Sequence, residues 1–233
     1  MPGPDSGPPD AARAFIDLHC HTSASFDSLA SPASVARAAA ARGLTHLAIT
    51  DHGTIEGAAE ARAAAPEGLT ILVGEEIRTL QGDLIGLFLS SAIPRGLPAT
   101  EAIAAVRAQG GLVGIPHPFD RFRGSLGRGG SLVELAGSVD WIEAWNARLM
   151  IGDGNVRAAE LAASSGRPGV AVSDAHTTME VGVASTIVRG DPSTPAGLLA
   201  ALGGSRELAT GRASVYTRLV TPAAKLVTWA RGR

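Results

Sequence analysis

Short aliphatic and β-branched runs recur along the chain, and alanine-rich stretches with helix start and stop signals separate most of them. The runs at Ala14–Leu18, Leu47–Thr50, Thr70–Val73, Asp83–Leu89, Leu112–Ile115, Trp141–Ala144 and Gly169–Val172 read as buried strands. Ser31-Pro32 opens one helix, with proline at the tolerated first position, and Gly43 follows its end. Pro98–Gln109 is a second helix, closed by Gly110-Gly111, and Asn155–Ser164 is a third, closed by Gly166. Near-continuous apolar strands alternating with helices predict a parallel sheet covered by helices, of class α/β. About seven such strands approach a closed barrel. A doubly wound open sheet is the structural alternative.

With 233 residues, 45% of them hydrophobic, there is material for a sizeable core, and no repeat or linker divides it. The expectation is one domain over residues 14–233 behind a proline- and glycine-rich disordered leader, 1–13. That leader lacks the basic-then-apolar pattern of a secretion signal. No apolar run is long enough to span a bilayer, so no membrane partner is expected. The single cysteine, Cys20, allows no internal disulfide, which agrees with a cytoplasmic protein. A net charge of −2 shows no generally basic surface for coating nucleic acid. The segment Pro222–Arg233 reads either as a barrel-packing helix or as an interface.

Polar residues change the picture because of where they fall. Functional groups of parallel α/β folds gather at the carboxyl ends of strands. Nearly every predicted strand here ends in possible metal ligands: Asp17-Leu18-His19-Cys20-His21, Asp51-His52, Glu75-Glu76, His117 between two prolines, and Asp174-Ala175-His176. Five of the six histidines in the chain lie at these ends. Side chains at i and i+2 share a face, so His19 pairs with His21 and Asp174 with His176, while Cys20 turns outward to pack. Imidazole with carboxylate suits zinc, manganese or iron. Each motif alone has a bland reading: a turn, a helix cap, a solvated acidic pair or a packed imidazole. Together those readings require independent coincidences at one end of one sheet. His46 lies at the opposite end and reads as structural or surface-exposed.

The motifs Asp-x-His-x-His-Thr, Thr-Asp-His, Gly-x-Glu, His-Pro and Asp-x-His, in that order from Asp17 to His176, resemble the PHP family, named for polymerase and histidinol phosphatase. The resemblance implies a distorted (β/α)7 TIM-like barrel binding two or three divalent metal ions. By that resemblance His19, His21, Glu76 and Asp174 hold one ion, and Glu76 bridges to a second that His117 assists. Asp27, His52 and His176 hold a third. Gly-x-Glu spacing from Gly74 selects Glu76 over Glu75. No histidine occurs between His52 and His117, so the second ion relies on water, substrate oxygen or Asp83. Asp17, Asp51 and Asp83 are expected behind the ligands. The stretch Gly74–Thr79 with Gly82–Phe88, the stretch Ile115–Arg121, and Ile142-Glu143 with Asn146 and Arg148 resemble a stand-alone branch of the family.

The expected activity is metal-dependent phosphoester hydrolysis by activated water, with Asp174 or His176 handling protons. Arg121, Arg123 and Arg148 are candidate phosphate-binding cations, since arginine offers a bidentate fork. The expected partner is a small phosphorylated substrate, of nucleotide type in preference to histidinol phosphate. A single-strand exonuclease ranks lower, because aromatics are only 4% of the chain and a nucleic-acid groove needs stacking surfaces. A non-catalytic PHP module is disfavoured by the nearly complete ligand set. Metallo-amidohydrolases also start from His-x-His. The version bridged by a mid-barrel lysine is removed because the only lysine, Lys225, follows all the motifs, which leaves the mononuclear version.

Overall fold

Strands and helices alternate through the computed structural model, which describes residues 12–120, 125–126, 132–149 and 151–230. The order is β1 (Arg13–Asp17), α1 (Pro32–Ala41), β2 (His46–Ile49), α2 (Glu56–Ala63), β3 (Thr70–Arg78), β4 (Asp83–Leu87), α3 (Ala99–Ala108) and β5 (Leu112–Ile115). It continues with α4 (Leu132–Ala136), β6 (Trp141–Asn146), α5 (Gly154–Ser164), β7 (Gly169–Val172), β8 (Ser185–Arg189), α6 (Pro195–Gly203), β9 (Arg206–Ala209) and α7 (Val215–Ala230). Local chemistry sets several boundaries. The Ser31 side chain accepts a hydrogen bond from the backbone N–H of Ser34, which caps α1 ahead of Pro32. α3 buries Ala99, Ala102, Ile103 and Val106, the spacing of a single helical face.

Among the described residues, nine strands form one sheet in the order β7-β6-β5-β4-β3-β2-β1-β8-β9. β1, β2 and β3 run parallel, as do β5, β6 and β7. The uniformly parallel sheet expected from the sequence is corrected at β4, which runs antiparallel to both β3 and β5. The reason is the tight turn at 79–82, where the Thr79 N–H donates to the Gly82 carbonyl at 3.0 Å. So short a link joins only antiparallel neighbours. β8 and β9 are antiparallel additions that the sequence reading did not contain. β9 is largely exposed and gives no apolar run to read.

The sheet nearly closes into a barrel. Past the end of β1, His21 N–H donates to the Ala175 carbonyl at 2.8 Å and Asp174 N–H to the His19 carbonyl at 2.9 Å. Lower down β8 fills the gap, with the Thr186 hydroxyl donating to the Ala171 carbonyl and accepting from its N–H. Ile16, Leu72, Ile85, Leu112, Trp141 and Val170 fill the interior, together with Leu198 and Leu202 of α6. Trp141 lies against Gly114, where an added Cβ would meet the indole at 2.1 Å, so only glycine permits this packing. With the interior apolar, the polar side chains collect at the carboxyl rim. No helix among the described residues is long and apolar enough to cross a membrane.

Candidate metal centre

β1 ends at Asp17, and beyond it the chain alternates so that His19 and His21 turn to the barrel mouth. Cys20 turns away and packs with Val35, Ala36 and Leu47. On β3 the same alternation places Glu76 on the inner face, in line with Leu72, while Ile71, Val73 and Ile77 pack outward. Glu75 faces away, accepts the Ile93 N–H at 2.7 Å, and burial raises its pKa to about 7. The remaining polar groups come from loops that follow strands. Two of them, His117 and Asp174, have positive φ values of 25° and 52°, outside the ordinary region for residues with a side chain. Strained backbone of this kind persists where the surroundings over-determine it, commonly at functional sites.

The structure brings His19, His21, Asp27, His52, Glu76, His117, Asp174 and His176 into one cluster, buried except for the half-buried His52. His19 Nε2 lies 3.0 Å from His21 Nε2, and each lies 3.2 Å from Glu76 Oε2 and 3.7 Å from Asp174 Oδ1. Glu76 Oε1 faces His117 Nε2 at 3.1 Å, and Oε2 faces His52 Nδ1 at 3.5 Å. Asp27 Oδ2 lies 3.2 Å from His52 Nε2 and 3.1 Å from His176 Nε2. His21 also falls within the group of Asp27, His52 and His176, and Asp83 falls within the group of Glu76 and His117. Glu76 therefore faces four of the histidines, His19, His21, His52 and His117.

The donor set fits metal ions. His19 Nδ1 is 2.6 Å from Glu143 Oε1, and His176 Nδ1 is 2.9 Å from the Asp174 carbonyl. With a proton at each Nδ1, the neutral rings present Nε2 lone pairs toward other acceptors, an arrangement that a cation resolves. The titration pattern agrees. Burial opposes charge on His19, but Glu143 and Glu76 outweigh it and push its pKa up to about 10. His52 likewise rises to about 9 against burial, through Glu76 and Asp27. Burial lowers His21 to about 4. Burial also opposes ionisation of Glu76, yet His52 and His19 hold it well below the usual carboxylate range.

The supporting aspartates act on backbone. Asp17 accepts the Ser173 N–H at 3.0 Å, tying together the loops that carry His19 and Asp174, and Asp51 accepts from the N–H and hydroxyl of Thr22, both at 2.6 Å. The expected phosphate-binding arginines fare differently. Arg121 and Arg123 lie outside the described residues. Arg148 is buried, with Nε 3.4 Å from Glu180 and Nη2 donating to the Thr221 hydroxyl of α7 at 2.7 Å. Glu180 also accepts the His176 N–H at 3.1 Å, so Arg148 braces the loop that carries His176.

Sequence reasoning gave Glu143 no role, although it accepts the His117 N–H at 2.8 Å as well as contacting His19. Its signal was a lone carboxylate inside an otherwise apolar strand. Asn146 is the other omission, its amide donating to Glu143 at 2.9 Å and to Asp174 at 3.0 Å. Phe26, 43% exposed, stacks on His52 at 4.9 Å between ring centroids, and Lys225 lies 5.3 Å from its centroid. No sequence signal linked these residues, since α7 returns to the mouth only in three dimensions.

The family model described as PHP domain matches residues 17–113, and the one described as PHP-associated matches residues 152–206. Uncharacterized protein MJ1587 of Methanocaldococcus jannaschii is 37% identical over 142 residues, covering 56% of this chain and 81% of that protein. Uncharacterized protein MJ0417 of the same organism is 41% identical over 112 residues, which is 47% of each. Among solved structures, a two-domain protein from Bacteroides vulgatus described as containing a predicted PHP-like metal-dependent phosphoesterase superposes with a TM-score of 0.69 at 19% identity, over 86% of this chain and 66% of that one. The lesion-specific endonuclease EndoQ from Pyrococcus furiosus superposes with a TM-score of 0.65 at 18% identity, over 84% and 58%. At these identities the two superpositions establish a shared fold.

Proposed function

This chain belongs to the PHP family, and from that premise we propose that it is a metal-dependent phosphoesterase acting on a small phosphorylated metabolite, with a nucleotide-type phosphomonoester as substrate. The observation that carries the reading is Glu76, whose two oxygens face His19, His21 and His52 on one side and His117 on the other. A carboxylate so flanked is built to bridge two cations.

In this proposal His19, His21, Glu76 and Asp174 hold one ion, Glu76, His117 and Asp83 a second, and Asp27, His52 and His176 a third, with manganese, zinc or iron suited to the set. Bound there, divalent ions lower the pKa of a coordinated water and offset charge on phosphate oxygens. The chain's own residues supply the geometry. Glu143 holds the Nδ1 proton of His19, the Asp174 carbonyl holds that of His176, and Asn146 fixes Asp174. Of the two groups expected to handle protons, Asp174 keeps a carboxylate for the task, whereas His176 is committed through Nδ1 to the Asp174 carbonyl and through Nε2 to the Asp27 side of the cluster. The half-exposed Phe26 ring stacks on His52 and has Lys225 5.3 Å from its centroid, a face that supports an aromatic base carrying a phosphate. The same face favours a second reading, cleavage of single-stranded nucleic acid.

The test is elemental analysis of the purified protein together with phosphate release from a panel of nucleotide, sugar and histidinol monoesters and a single-stranded oligonucleotide, with and without added manganese. Two or three ions per chain and metal-dependent release are expected. No bound transition metal and no release under any metal would overturn the proposal, and oligonucleotide cleavage without monoester hydrolysis would select the second reading.

A further inference from the structure

The stretch from Gly74 to Asp83 contains Glu76, and it also contains a cation that the ligand set leaves unused. Side chains on β3 alternate, so Arg78 shares the inner face with Glu76 and stands one step further toward solvent. Its backbone is anchored: the Arg78 carbonyl accepts the Gly96 N–H at 2.7 Å, and Arg78 pairs with Asp83 across the β3–β4 ladder. The guanidinium grips Asp83 through Nε and through Nη2, the latter at 3.1 Å. Asp83 in turn groups with Glu76 and His117, with one possible ligand atom from each lying within 4.8 Å of the others. The fork is thus held beside the cluster, yet the side chain is 55% exposed, and Nη1 makes no hydrogen bond among the described residues. Arg148, by contrast, is buried and engaged with Glu180 and Thr221.

The chemistry of the site calls for such a group. Glu76, Asp83 and Asp174 line the mouth with negative charge, which repels a phosphate dianion wherever a cation does not intervene. Metal ions answer this from within the cluster. A planar fork with unused donors answers it from the solvent side, and arginine matches phosphate geometry where lysine acts only as a point charge.

Resting on the phosphoesterase reading, we propose that Arg78 forms a phosphate-binding subsite on the solvent side of the metal centre, its Nη1 and the free hydrogen of Nη2 donating to non-bridging phosphate oxygens while Asp83 orients the fork. Arg78 then sets affinity for the phosphoryl group whatever the leaving group is.

The experiment compares wild type with Arg78→Gln and Arg78→Lys, all metal-loaded. It uses inorganic phosphate as the calorimetric probe, elemental analysis for ion content, and steady-state hydrolysis of the best ester. For Arg78→Gln, phosphate affinity is expected to weaken roughly 10- to 100-fold, with KM rising more than kcat falls and ion content unchanged. Arg78→Lys is expected to lie between the two. Phosphate affinity within twofold of wild type would overturn the proposal. So would loss of an ion from Arg78→Gln, which would reduce Arg78 to an orienting partner of Asp83. A wild type that binds no phosphate also overturns it. A wild type that binds phosphate through Arg78 but hydrolyses no ester overturns only the reaction, and so separates the two readings.

Discussion

At the carboxyl end of the barrel, His19 and His21 face each other across 3.0 Å among carboxylates. At the amino end His46 is bracketed by the hydroxyls of Thr45 and Ser193, each at 2.9 Å. Both environments are substantially buried, so burial does not distinguish them. What does is whether each ring nitrogen has a complementary partner. A hydroxyl donates or accepts as required and leaves His46 satisfied. Nitrogens that converge on one another and on carboxylates are complementary only to a cation. Convergence of acceptors, more than the presence of histidine, marks the functional end.

The largest break in that contrast is expected from Glu76→Gln, which keeps the shape and removes the bridging charge. Activity should fall by about a thousandfold, ~4 kcal/mol of barrier, with at least one ion lost in elemental analysis. Next comes Arg148→Met, which leaves Glu180 buried without its guanidinium. Destabilisation of roughly 3 kcal/mol is expected in urea unfolding, larger than for any substitution at His46. Glu143→Gln keeps an acceptor for His19 but removes the charge behind it. Metal affinity should weaken about 10- to 100-fold in chelator competition, with the fold intact by circular dichroism.

The smallest effect is expected at the amino end, where His46→Gln should cost less than about 1 kcal/mol and leave ion content unchanged. Burial lowers the His46 pKa from its ordinary 6.5, against the opposing pull of Asp191, so the fold prefers the neutral ring. Stability linked to it is therefore fully present above pH 6.5 and is lost as pH falls through the lowered folded value. Wild type and His46→Gln, compared in urea melts across that range, should differ in slope with pH. Ion loss from His46→Gln would collapse the distinction between the two ends.

The buried histidine–carboxylate cluster was legible because most of its residues follow an apolar run at a spacing that local geometry respects, as His19 with His21 and Asp174 with His176, while Glu76 and Asp27 were singled out by the family resemblance. Glu143 was hidden in plain view, since a carboxylate on a strand announces burial but not its partner. Arg148 misled because an arginine near a strand end has the same local signature whether it meets phosphate or Glu180. The parallel sheet was overread at β4, because the turn at 79–82 was not weighed as a hairpin.

The sequence by itself determined the alternation of strands and helices, the end of the sheet at which the polar side chains gather, and the residue types found there. These follow from period, turn residues and side-chain chemistry, all of which act within a few residues. Only the tertiary structure decided the addition of β8 and β9, the pairing of Glu143 with His19, the bracing of Arg148 by α7 and the placing of Arg78 over Asp83 and the cluster. Most of those contacts join residues distant in the chain, where closure of the barrel and not local propensity chooses the neighbour.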